Sequence, residues 1–196
     1  MTDLDKKRDI ERSKYEAIYK GTRLPKYGSS NHWSKGWPWI KKMGIKSIAD
    51  VGTGKGDFPR SMGALGARAF GFDFAYQGRE MMKHENGYLL AQAPAHDLPL
   101  ADGEVEYVTA FDMLEHLLPD EVEEVLAEFK RVATKGFIFS ISYVPSKIQV
   151  PVPGDRRGNL HPTVRKKEWW IETIERVTGA SVEDKSPYLL CTLPNE

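Results

Sequence analysis

The chain has 196 residues, is 40% hydrophobic and carries 28 Lys/Arg against 28 Asp/Glu, a formal net charge of zero. That length suffices for one core of ordinary size, and no apolar run approaches the roughly 18–20 residues of a membrane span. Residues 1–8 lack the apolar stretch of a secretory signal, and the single cysteine, Cys191, excludes an internal disulfide framework, so a reducing, cytoplasmic compartment is expected.

Neutrality hides an asymmetry. Residues 1–46 hold 12 Lys/Arg and 5 Asp/Glu, a balance of +7, whereas residues 47–196 hold 16 and 23, a balance of −7. Such a basic leader either attracts an anionic substrate or nucleic acid, or packs as a solvated face on an acidic body. Residues 5–20 predict a helix ended by Gly21, with Ile10, Tyr15, Ile18 and Tyr19 spaced for one face. Trp33, Trp37 and Trp39 then fall within seven residues and predict an aromatic staple to the core. The same leader also reads as a lid, with Tyr27, Asn31 and His32 near the ligand.

The chain is organised around Asp50-Val51-Gly52-Thr53-Gly54-Lys55-Gly56-Asp57. A short apolar run ending at Val51 predicts a buried strand, and a helix is expected after the turn, through about Leu65. Glycines at 52, 54 and 56 let a ligand lie against the main chain, where the helix aims its unpaired N–H groups. The spacing is neither G-x-G-x-x-G, which would need glycine at Asp57, nor a P-loop, which needs Ser or Thr after Gly54-Lys55.

Strands are predicted at residues 68–73, 87–92, 105–111 and 137–142, with helices from Pro119 and over residues 167–178 and terminal strands near 181–183 and 188–193. In the helix from Pro119, Val122, Val125, Leu126, Phe129 and Val132 share an apolar face; in the later helix, Trp170, Ile174 and Val177 do. Asp73, 17 residues beyond Gly56, closes the second strand, where a carboxylate can accept hydrogen bonds from both hydroxyls of a ribose.

This succession resembles the class I S-adenosylmethionine-dependent methyltransferases over more than half the chain. The resemblance implies an α/β, Rossmann-like three-layer sandwich with a seven-stranded, mostly parallel sheet of order 3-2-1-4-5-7-6. A leader over residues 1–45 would form the lid of a single domain over residues 46–196. It further implies S-adenosylmethionine as cofactor, held by Asp50, Gly52, Thr53, Gly54, Gly56, Asp73, Phe74, Asp97 and Asp112. Asp97 departs from the pattern: aligned on Leu98-Pro99, the place that often holds an acid against the adenine is Pro94.

No Asn/Asp-Pro-Pro-Tyr/Phe segment or Pro-Cys pair follows the fourth strand, so the resemblance does not extend to DNA base methyltransferases. The catalytic candidates are His161, His116 and Glu115. His161 suits a general base, because an imidazole titrates near neutral pH. Asp112-x-x-Glu115-His116 with the remote His161 also resembles the metal set of small-RNA terminal 2′-O-methyltransferases, so these four residues are candidate ligands of a divalent ion. The expected acceptor is a hydroxyl or amine of a small polar or anionic molecule, with Arg156 and Arg157 near it. The alternatives are a ribose 2′-hydroxyl of RNA and, outside the enzymes, a non-catalytic cofactor-binding subunit.

Overall fold

The computed structural model describes residues 2–20, 32–75, 82–83 and 87–194. Helix α1 (Asp3–Lys20) leads, and a short α2 (Trp37–Ile40) precedes the first strand. The core then alternates β1 (Ser47–Val51), α3 (Asp57–Ala64), β2 (Arg68–Asp73), the two-residue β3 (Met82–Lys83), β4 (Tyr88–Gln92) and β5 (Val105–Phe111). It closes with α4 (Val122–Val132), β6 (Ala133–Ser140), α5 (Lys167–Thr178), β7 (Ser181–Lys185) and β8 (Tyr188–Thr192).

The strands form one sheet in the order β3-β4-β2-β1-β5-β6-β8-β7. With the edge strand β3 set aside, this is the expected 3-2-1-4-5-7-6 arrangement; β3 is an addition, antiparallel to β4. The pairings β4–β2–β1–β5–β6 are parallel, and β8 runs antiparallel between β6 and β7. Residues 48–51 are all buried, as a strand covered by helices on both faces requires. The chain leaves β1 to one side and returns on the other, so the carboxyl ends of β1, β2 and β5 meet at the crevice where open α/β sheets bind ligands.

The helices follow their apolar spacing. In α4, Val122, Val125, Leu126, Phe129 and Val132 are buried, with Glu123 and Glu124 in the first turn and Lys130 and Arg131 in the last, matching the helix dipole. In α5, Trp170 and Ile174 are buried and Gly179 ends the helix. β6 starts four residues before its predicted start at Phe137. The chain passes into it from α4 without a loop, and the exposed Thr134 and Lys135 carry no apolar signal.

The leader is stapled as its tryptophans predict. Trp33 and Trp37 pack on Phe58 at 5.5 and 6.3 Å between ring centres, and Trp39 packs on Tyr188 at 5.8 Å. Every Lys and Arg of α1 lies against a carboxylate: Lys6, Arg12 and Lys20 within the helix, Lys7 against Asp120 of the body, and Arg8 and Lys14 both within the helix and against Glu121, Glu124 and Asp155 of the body. Helix α1 is thus nearly neutral, with 6 Lys/Arg against 5 Asp/Glu, and the basic excess of the leader lies in residues 21–46.

Candidate active site

A cavity of about 580 Å³ opens at the carboxyl ends of β1, β2 and β5, within the range of small-molecule sites. Helix α1 covers it with Arg8, Glu11, Arg12, Tyr15 and Tyr19, which fall three or four residues apart on one face. Other walls include the glycine loop, residues 72–74, 93–96, 111–113 and 115–117, and Ser142, Ser146, Ile148, Leu160 and His161.

Of the residues expected to hold the cofactor, Asp50, Gly52, Thr53, Gly54, Asp73, Phe74 and Asp112 line this cavity. Gly52 has φ +73°, and a Cβ there would lie 2.3 Å from the Met113 side chain, so two constraints demand glycine. Gly56 does not line the cavity. It has φ +79° at the start of α3, and a Cβ would meet Leu90 at 2.6 Å, so its role is packing against β4 rather than ligand approach. Asp97 is exposed and outside the cavity; the chain turns through Pro94-Ala95-His96, and these three border the space instead.

Two buried carboxylates stand at the strand ends. Asp50 accepts a hydrogen bond from Thr109 Oγ1 at 2.7 Å, and burial pushes its pKa up to about 7 against the pull of Thr109 and Thr53. Asp73 accepts from the Gly54 N–H at 3.0 Å and the Ala75 N–H at 3.1 Å. Burial raises its pKa, and these backbone donors oppose the shift.

At the far end of the cavity, Glu115 and His116 lie in the short 3₁₀ turn after β5, and His161 arrives from the long loop after β6. The two imidazole centres are 4.7 Å apart, edge to face. One ligand atom each from Glu115, His116 and His161 lies within 4.8 Å of the others. Asp112 is not in this group. Its φ of +51° turns it aside, and its Oδ1 accepts from Ser140 Oγ at 2.9 Å, which corrects the four-ligand expectation to three.

Glu115 is 0% exposed; its Oε1 accepts from the Ser142 N–H at 3.1 Å, and its buried Oε2 has no hydrogen-bond partner among the described residues. Burial, reinforced by Asp112, pushes its pKa up to about 8. Burial and the neighbouring His161 push His116 down to about 4, so it is neutral at pH 7. His116 Nδ1 pairs with the Tyr15 hydroxyl at 2.5 Å. His161 Nδ1 lies 2.8 Å from the Val144 carbonyl, which can only accept, so Nδ1 carries the proton and Nε2 is the basic nitrogen.

Arg156 and Arg157 are exposed and do not border the cavity; their loop turns them outward at Asp155, whose Oδ1 accepts the Arg157 N–H. Tyr27 and Asn31 lie outside the described residues, as does the side chain of His32. Cys191 is buried in β8, and burial raises its thiol pKa. Sequence reasoning missed His96, Lys14 and the hydroxyl contacts of Tyr15 and Tyr19. No helix among the described residues is long and apolar enough to cross a membrane.

Residues 49–141 match the family described as "Methyltransferase domain". A search of curated protein sequences found no match. Among solved structures, the chain is similar to magnesium protoporphyrin IX methyltransferase from Synechocystis with bound SAM, with 15% identity, TM-score 0.65, and 99% of this chain and 98% of that one covered. It is also similar to the 1,6-didemethyltoxoflavin-N1-methyltransferase of Burkholderia thailandensis, with 15% identity, TM-score 0.65, and coverage of 100% and 92%. A third is the phospholethanolamine N-methyltransferase 2 of Haemonchus contortus, with 14% identity, TM-score 0.57, and coverage of 90% and 44%. The matched segment makes residues 49–141 a methyltransferase domain, and the glycine turn after β1 and the strand order give the chain the class I methyltransferase fold.

Proposed function

We propose that the protein transfers a methyl group from S-adenosylmethionine to a hydroxyl or amine of a small polar molecule. One observation carries this reading: a single cavity joins the Gly52–Gly54 turn and Asp73 to His161, whose Nδ1 is engaged by the Val144 carbonyl. Asp73 would accept the ribose hydroxyls, Phe74 and residues 94–95 would flank the adenine, and Gly52, Gly54 and Asp112 would border the amino-acid tail. When bound, the cofactor supplies an electrophilic methyl group on a sulfonium. The remaining work of the protein is to orient the acceptor, exclude water and receive a proton. His161 would take that proton at Nε2, with its ring held by the Val144 carbonyl.

The neighbours that act on a toxoflavin precursor or a phospho-amine support a small acceptor. The test combines calorimetry with S-adenosylhomocysteine and a search of a cell extract for products that gain a labelled methyl group. Asp73→Ala is expected to weaken binding by about 1.5–3 kcal/mol, the scale of hydrogen bonds to a charged group. Equal affinity in wild type and variant, or no labelled product, would count against the proposal.

A second reading adds a divalent cation at Glu115, His116 and His161. It is favoured by their mutual distances and by the orphaned Glu115 Oε2, which suits either a proton or a cation. Such an ion would lower the pKa of an acceptor hydroxyl as a Lewis acid. Carboxylate and imidazole donors suit Zn²⁺, Fe²⁺ or Mn²⁺ without selecting one. Methyl transfer is then expected to stop in excess chelator and return with one of these ions; full activity in chelator would end this reading.

A further inference from the structure

The Asp73 carboxylate already accepts three hydrogen bonds. Besides the Gly54 and Ala75 N–H groups, the Tyr19 hydroxyl donates to Oδ2 at 3.2 Å. An ionised carboxylate offers about four lone-pair sites, so two ribose hydroxyls would bring the donors to one more than it can serve. The backbone donors belong to the glycine turn and to the turn after β2, and neither can leave without unmaking the fold. Tyr19 is the side-chain donor, and it sits one residue from the end of α1.

We infer that Tyr19 competes with the cofactor ribose for Asp73 and so serves cofactor exchange. Its hydroxyl leaves Asp73 when the cofactor enters and takes the carboxylate back as the spent cofactor departs. The exchange needs only a turn of the Tyr19 side chain. One helical turn earlier, α1 stays seated through Tyr15, which packs on Phe74 at 5.3 Å and holds His116, and through the buried Lys14 bridged to Asp155. Any donor left on the carboxylate in the unliganded state avoids an underused buried anion, which explains why the helix carries a tyrosine here rather than a phenylalanine. The inference rests on the reading of Asp73 as the ribose acceptor.

The test is calorimetry with S-adenosylhomocysteine on the wild type, Tyr19→Phe and, separately, Asp73→Ala. Phe keeps the ring and removes the competing donor, so Tyr19→Phe is expected to bind the ligand about three- to tenfold more tightly, the fold-change of one net hydrogen bond. Weaker binding would make Tyr19 a direct ligand contact, and unchanged binding would remove it from the exchange; either overturns the inference. Asp73→Ala separates the two ideas. If that variant binds like wild type, the ribose assignment itself fails. If it binds weakly while Tyr19→Phe is not tighter, only the competition fails.

Discussion

His161→Ala is expected to lower methyl transfer by about 10²–10⁴-fold, the usual contribution of a positioned general base. Cofactor affinity should change by no more than about twofold, the scale of ±0.5 kcal/mol seen away from direct contacts. The expectation follows from the tautomer. With Nδ1–H committed to the Val144 carbonyl, Nε2 is the nitrogen free to take a proton. His116, held near a pKa of 4, is a poor base by comparison. The single-turnover rate with the labelled acceptor, compared with calorimetry on the same variant, checks both halves. Retained turnover would leave His161 structural, and equal loss of turnover and affinity would do the same. Base and metal ligand also separate: a base leaves wild-type turnover indifferent to chelator, a ligand does not.

Lys14→Met is expected to destabilise the protein by about 3–5 kcal/mol, the cost of leaving the buried Glu11 of an ion pair unmatched. The Lys14 side chain is 1% exposed, and its Nζ donates to Glu11 Oε1 at 2.7 Å and the Asn159 carbonyl at 2.9 Å, with Asp155 Oδ2 at 2.7 Å. Methionine fills similar volume but leaves Glu11, whose pKa burial already raises, without its cation. Asp155, held below the usual range chiefly by its Lys14 bond, loses that support too. The consequence reaches the active site, because the Asn159 side chain brackets the His161 backbone at 2.9 and 3.1 Å. Urea unfolding gives the stability change by linear extrapolation. A loss below about 1 kcal/mol, the range of surface pairs, would show that the bridge is not buried in solution.

The local pattern specified the elements whose environment repeats along the chain. Strands β2 and β5 and helix α5 lie where apolar runs and helical spacing put them, since a strand covered on both faces and a helix with one apolar face each leave a periodic mark. The turn from Asp50 through Gly56 was equally legible, because positive φ at its glycines is a local demand. Within the site, Gly52, Gly54 and Asp73 were readable from spacing to strand ends.

Other residues were not readable in that way. Asp97 and His96 are neighbours, and which of them faces the cavity depends on how the turn after β4 is packed. Gly56 is confined by Leu90, 34 residues on, in addition to its positive φ, and Asp112 bonds Ser140, 28 residues on, outside the metal-type cluster. Tyr19 meets Asp73 across 54 residues, Tyr15 meets His116 across 101, and Lys14 meets the Asn159 carbonyl across 145. On α1 itself these side chains read only as part of an amphipathic face. The amino-acid sequence alone therefore determined most strands and helices and the glycine turn, because those rest on short-range sterics and periodic burial, while the sheet order followed from the family resemblance. Only the tertiary structure decided which residues of α1 touch the site and which acids lie outside it, because each contact needs segments that chain proximity does not bring together.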